Sequence, residues 1–250
     1  MGRMQARRPA LASFALVAVV ATQHGRAGPF GGSLALTSDY VYRGISQTCG
    51  DPAFQADVHY RSHGGESPSE TFVGLFGSKG LGDSYCGGTS ELNAYLGHSF
   101  ATSRDSSATL TYTHYAYPNG EYGFDRVDYD YDELAGEWAY RDQLFFTLAW
   151  VPNALRYTGH SLERGRSAFT AGLQLHQALG ASFTLSAGVG YDEVTDFSGA
   201  GYAFWNGGIG YGIGRWQLDV SYFGTADHAT QHFGTRIAGN RVSATALWRF

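Results

Sequence analysis

The stretch that decides the fold is the last ten residues, 241–250, RVSATALWRF. Phe250, Trp248, Ala246, Ala244 and Val242 share one parity; Arg249, Leu247, Thr245, Ser243 and Arg241 share the other. Successive side chains of a strand point to opposite faces, so this segment presents an apolar face and a largely polar one. A strand that ends the chain has no downstream segment to cover its edge. Its natural partner is the first strand of the same chain, in the region of Leu34 and Leu36, and that pairing closes a barrel and removes both edges.

The same alternation recurs along the chain. Ala53 to Ser62 sets Phe54, Ala56, Val58 and Tyr60 against Gln55, Asp57, His59 and Arg61. Ser90 to Phe100, Ser107 to Tyr117, Ala181 to Tyr191 and Arg215 to Phe223 repeat the pattern. Ser33 to Arg43, Tyr131 to Tyr140, Ala168 to Gln177 and Tyr202 to Tyr211 follow it with about one exception each. Thr71 to Gly77 and Gln143 to Val151 are apolar on both faces, as strands whose inner side chains pack within a lumen. With the terminal strand, the expectation is an all-β, closed antiparallel up-and-down transmembrane barrel of about 12 strands, an even number as in single-chain bacterial barrels. The connections agree. Segments 78–89, 118–130, 152–167, 192–201 and 224–240 are long and rich in Gly, Ser, Asn and Asp. Those at 141–142, 178–180 and 212–214 are tight, 101–106 is short, and 63–70 is the exception. Long loops at one end and short turns at the other are the outer-membrane arrangement, with the long set outside the cell.

Composition and the N-terminus point the same way. Arg3, Arg7 and Arg8 precede the short apolar run Leu11 to Ala21, and Gly25 and Ala27 offer small residues for cleavage, so residues 1–27 read as a removed signal peptide and 28–250 as one barrel domain. The chain carries 17 Lys+Arg against 22 Asp+Glu, and residues 1–27 hold four of the arginines and no acid, a balance that argues against nucleic acid. Aromatics make up 15% of residues and glycine fills 35 positions, while no apolar run is long enough for a membrane helix. The aromatic Trp248 and Phe250 at the end resemble the C-terminal signal of outer-membrane barrels, which implies recognition by the barrel-assembly machinery. Cys49 and Cys86 both fall in the outer set of loops, and an exported chain permits the one disulfide they allow.

The segment Ser33 to Thr48, SLALTSDYVYRGISQT, followed by Asp51-Pro52-Ala53, resembles the N-terminal signature of the TorF-family porins. Asp130-Tyr131, Glu133 and SAGVGY at Ser186 to Tyr191 continue the resemblance more weakly. It implies a channel of the Gram-negative outer membrane without naming a solute. Within the signature, Tyr40 and Tyr42 share the parity of Leu34 and Leu36 and are expected as girdle aromatics on the membrane face. Asp39 and Arg43 take the opposite, lumenal parity, as part of a constriction or as ion pairs with neighbouring strands. Gly44 suits a turn leaving the strand.

The lumenal parity collects Asp57, His59, Arg61, Glu91, Asn93, Glu137, Asp219, Arg241 and Arg249. Rings of charge set selectivity in aqueous pores, and the same residues also suit a lumen held shut by ion pairs. Inward Gly188 and Gly190 leave space for bulky neighbours and favour a narrow bore. The acids Asp125, Asp128, Asp130, Asp132 and Glu133 lack the spacing of a calcium loop; they read first as a solvated loop edge, with loose divalent-cation or lipopolysaccharide-linked binding as the alternative. Neither cysteine has a partner at zinc spacing, and no metal or cofactor is expected. His98 and Ser99 alternate to opposite faces, and no nucleophile elbow or phosphate loop is present, so the reading is not an enzyme. The function expected is passive diffusion of small solutes or ions, with membrane lipid and lipopolysaccharide around the barrel. A surface-interaction barrel with a plugged lumen is the second reading, and a lipid-modifying barrel enzyme the third.

Overall fold

The computed structural model describes residues 29–63, 69–82, 90–118, 130–157, 162–193 and 201–250 (backbone only at 63, 155–157 and 162–166). The expected leader 1–27, Cys86, Asp125 and Asp128 lie outside the described residues. The chain runs through β1 (Phe30–Thr37), β2 (Val41–Tyr42), β3 (Ile45–Ser46), β4 (Ala53–His63), β5 (Glu70–Gly80), β6 (Ser90–Ala101) and β7 (Ser106–Ala116). It continues through β8 (Tyr131–Tyr140), β9 (Leu144–Tyr157), β10 (Leu162–Leu179), β11 (Phe183–Glu193), β12 (Tyr202–Ile213) and β13 (Trp216–Thr225). Two short helices, α1 (Asp227–Phe233) and α2 (Thr235–Ala238), precede β14 (Arg241–Arg249).

Twelve of these strands form one closed antiparallel barrel, each paired with its sequence neighbours, and β2 and β3 stand apart as a two-stranded hairpin. Closure is made by β1 against β14, with Leu34 opposite Trp248 and Leu36 opposite Ala246. The seam is finished by Gly32 and Phe250, which exchange backbone bonds of 3.1 and 3.3 Å. A side chain at Gly32 would run into the Phe250 ring, so the last residue packs across the first strand only because that position is glycine. A closed ladder leaves no backbone donor or acceptor facing hydrocarbon.

The outer surface explains the composition. Its middle is aliphatic, with Leu75, Leu96, Leu110, Leu148, Val189 and Val220 exposed. At the end with the short turns lie Phe30, Tyr60, Phe100, Trp138, Tyr140, Phe183 and Trp216; towards the long loops lie Phe54, Trp150, Phe169, Tyr191, Trp205 and Tyr222. An aliphatic band between two aromatic girdles is the surface of a membrane-spanning barrel. Such a surface is unstable in water and stable in lipid.

The inner surface carries bulky side chains as well as polar ones. Phe72 and Phe76 of β5 and Phe145 and Val151 of β9 are buried inside, as the doubly apolar strands require. Inward glycines make room for bulky neighbours: the Phe72 ring lies over Gly97, Tyr95 over Gly74, and Phe204 over Gly190, while Gln174 and Asn206 take the space beside Gly188.

Candidate functional site

The wall strand expected over Ser33 to Arg43 ends at Thr37, and the chain then turns into the barrel. Ser38 makes the exit. Its backbone N–H still bonds the Ala244 carbonyl at 2.9 Å, and its hydroxyl accepts the Ala244 N–H at 2.9 Å, so the ladder to β14 is continued by a side chain while the backbone leaves it. The membrane-facing placement expected for Tyr40 and Tyr42 is thereby overturned. Tyr40 is 6% exposed, packed with Phe76 and Ala53, and Tyr42 lies against Tyr115 with its hydroxyl 3.4 Å away. Parity holds only while a segment stays in the sheet, and this one leaves it at Ser38.

Residues 39–50 form a plug. Its two strands are joined by Arg43 and Gly44, both at positive φ (50° and 78°), the backbone signature of a tight hairpin turn. Asp39 ties its base together: one carboxylate oxygen accepts the hydroxyls of Ser46 at 2.5 Å and Thr48 at 3.0 Å, and the other accepts Arg241 Nη1 at 2.8 Å. The Arg43 guanidinium at the tip reaches the far wall and pairs with Glu133 of β8 at 2.5 Å, both side chains being almost inaccessible. Burial opposes the Arg43 charge, but Tyr42, Glu133 and Asp192 hold it on, and its pKa lies above the ordinary value. Tyr202 of β12 donates its hydroxyl to the Arg43 carbonyl at 3.2 Å and to Asp192 at 3.3 Å. On the opposite flank, the Tyr40 hydroxyl donates to Glu91 at 3.4 Å, and burial with the nearby Glu91 charge pushes that hydroxyl's pKa well up, so it stays a donor. The hairpin thus bonds to β6, β7, β8, β12 and β14, spanning the lumen.

A second inward segment covers the plug. Ala229 of α1 and Ala238 of α2 are buried against Tyr202 and Phe204, with Ile45 of the plug packed on the same cluster. Arg241 fastens cap to plug, bonding the carbonyls of Arg236, Ile237 and Gly239 as well as Asp39. Arg236 donates to the Cys49 carbonyl at 3.4 Å. Cys49 sits at the foot of the plug, 6% exposed.

Towards the turns, the lumen is lined by a sparser set of polar pairs. Asp57 is bonded to His59 Nδ1 and to the Tyr95 hydroxyl, both at 2.6 Å. Arg61 lies 3.5 Å from Glu70. Thr147 donates to Glu137 at 3.4 Å, while at the long-loop end, beside the plug, Asn93 donates to Glu91 at 2.6 Å. Gln217 donates to both oxygens of Asp219 at 2.8 Å, and Arg249 donates to the Gln217 carbonyl oxygen.

Asp39, Arg43 and Arg241 therefore gather at the plug, whereas Asp57, His59 and Arg61 lie together on β4, and Glu137 and Asp219 stand on separate parts of the wall. Sequence reasoning missed Tyr95, Tyr115, Asp192, Tyr202 and Gln55. By parity Asp192 was readable as the inward neighbour of Gly190, Tyr95 as that of Asn93 and Tyr115 as that of Thr113; what each of them bonds to was not. In the acidic stretch, Asp132 turns outward to Tyr112 and His114, whereas Glu133 turns in to Arg43. Consecutive acids of one strand cannot share a site. His98 faces outward, bonded to Thr71 at 2.9 Å, and Ser99 inward to Thr109 at 3.0 Å.

The architecture is similar to that of solved membrane barrels. A protein whose structure comes from work on the in-meso crystallization of membrane proteins superposes with a TM-score of 0.59 at 10% identity, covering 88% of this chain and 83% of that one. An outer-membrane channel from Pseudomonas putida F1 gives 0.56 at 10% identity, over 88% and 95%. The KdgM porin gives 0.51 at 8% identity, over 88% and 99%. At these identities the likeness is one of fold. No curated protein sequence matches the chain. Residues 23–249 match the family described as bacterial protein of unknown function (Gcw_chp), and the chain belongs to that family.

Proposed function

We propose that the protein is a porin-like channel of the bacterial outer membrane, of the TorF type, which passes small solutes or ions by diffusion through a lumen narrowed by its own first loop. The observation that carries this reading is the plug: a twelve-stranded wall encloses a polar lumen, and one hairpin, held by Arg43–Glu133 and Asp39–Arg241, sets its width. Charged groups lining a polar lumen are what a selective path is built from. In this reading residues 1–27 are the export leader, the long loops face lipopolysaccharide, and Trp248 and Phe250 present the terminal strand to the assembly machinery. A Cys49–Cys86 bridge tethers the foot of the plug to the neighbouring outer loop, and no cofactor takes part.

The test is conductance of the refolded, heat-modifiable protein in planar lipid bilayers. Reproducible small steps are expected. Silence from the intact protein, and silence again after the plug is cut out, would assign it instead to the plugged barrels whose role lies in their outer loops.

A further inference from the structure

Below the plug, between β4, β1, β14 and β13, lies a recess that opens to the lumen, about 460 Å³ of space with its mouth included. Most of that space belongs to the mouth, so the recess suits a molecule of only a few heavy atoms. Gln55 of β4 and Asp219 of β13 bound it on two sides, Ala35 between them leaves the space, and Tyr40 and Phe223 contribute aromatic faces. Gln55 is 5% exposed and its amide nitrogen has no hydrogen-bond partner. A buried donor without an acceptor is uncommon, because it loses its water without replacement.

Asp219 presents the complementary group. Its two oxygens are held by one amide nitrogen of Gln217, and the nearby Arg249 spends a donor on the Gln217 carbonyl instead. Among the described residues Asp219 has no ion pair within 4 Å, although the Arg249 charge acts on it from farther off. The recess's other carboxylate, Asp39, is fully engaged by Arg241, Ser46 and Thr48. One carboxylate therefore remains for a cation, and one amide N–H for an acceptor, facing a common space.

We propose that this recess is a subsite for small solutes carrying an ammonium group at one end and a hydroxyl or carboxylate oxygen at the other. The ammonium lies at Asp219, and the oxygen accepts from Gln55 Nε2. Carboxylates outnumber arginines among the inward residues named above, so the surrounding lumen disfavours anions as well. The subsite rests on the channel reading and deepens it, since it names what the path prefers, but its occupancy can be measured without conduction.

The experiment has two arms on the full-length, folded barrel. Ethanolammonium chloride is titrated against the protein in detergent micelles and followed by saturation-transfer NMR, and the potassium-to-chloride permeability ratio is taken from the reversal potential across a bilayer. Asp219→Asn is expected to weaken ethanolammonium binding roughly tenfold and to lower the permeability ratio, and Gln55→Leu to weaken binding about threefold. A conducting channel that does not bind ethanolammonium, or binds it equally well as Asp219→Asn, overturns the subsite and leaves the channel standing. Binding by a barrel that never conducts does the reverse. If the barrel neither binds nor conducts, both readings fall.

Discussion

The wall of the barrel and the plug inside it obey different rules, although they meet within a single residue at Ser38. In the wall every side chain has one of two destinations, lipid or lumen, and stability is spread over twelve pairings, none of them unique. In the plug the same types of residue have individual addresses: Asp39 to Arg241, Arg43 to Glu133, Tyr40 to Glu91. Periodic structure is redundant, whereas the plug is held by a few specific bonds. Damage to the wall should therefore change whether the protein folds, and damage to the plug should change what passes.

The largest effect expected is on conductance. Replacing residues 40–48 by a short Gly/Ser linker removes the hairpin while keeping Ser38 and the seam to β14, and single-channel conductance should rise several-fold while the barrel stays heat-modifiable on gels. Failure of this variant to refold would show that the plug is part of the wall's folding core and would dissolve the distinction. Glu133→Gln tests the single bond at the tip. Losing one partner of a buried ion pair costs about 3–5 kcal/mol, to be read from urea titrations of the protein folded into lipid vesicles, with open-channel noise increasing as the tip loosens.

On the wall, Leu110→Arg places a charge midway along β7 on the lipid face. It should cost about 2–4 kcal/mol in the same titration and leave the conductance of the folded fraction unchanged. Gly97→Val collides with the Phe72 ring inside the barrel, for about 1–3 kcal/mol. The smallest expected effect is Gly44→Ala: a φ of 78° and the Thr225 methyl 2.6 Å from the new carbon make the turn unfavourable by about 1 kcal/mol, visible as plug flicker in current traces before it is measurable in unfolding.

The contrast also explains what could be read from the sequence. The wall was legible because period-two alternation is a local signal that survives at every strand: Phe54 to Arg61 or Trp216 to Phe223 declare their faces without knowledge of any partner. Closure was legible because Arg241 to Phe250 needed a neighbour and only the first strand could supply one. The plug was hidden by coincidence. Leu34, Leu36, Ser38, Tyr40 and Tyr42 keep one unbroken parity, so alternation reads straight through the point where the chain leaves the sheet. The contrary signal was polar chemistry: Ser38-Asp39 as an exit, Arg43-Gly44 as a turn, and Ser46 and Thr48 at the distances that Asp39 needs. That signal is only decisive when the partners are known, and Glu133 and Arg241 lie far away in sequence. The unbonded amide of Gln55 had no sequence signature at all, since parity places it in the lumen without saying what it meets there.

The seam between β1 and β14 has a consequence for how the molecule is made. It joins residues separated by more than two hundred positions, the longest loop closure in the chain, so it is the contact whose formation waits longest during folding. The plug is rooted on the inner side of that same seam, at Ser38, and bonds to both Ser243 and Arg241. A hairpin tethered there has free room only while the sheet is still an open cylinder. The closing step that seals the membrane wall is then also the step that imprisons the plug. A chain that closed with its hairpin outside would be a finished barrel with an unguarded bore.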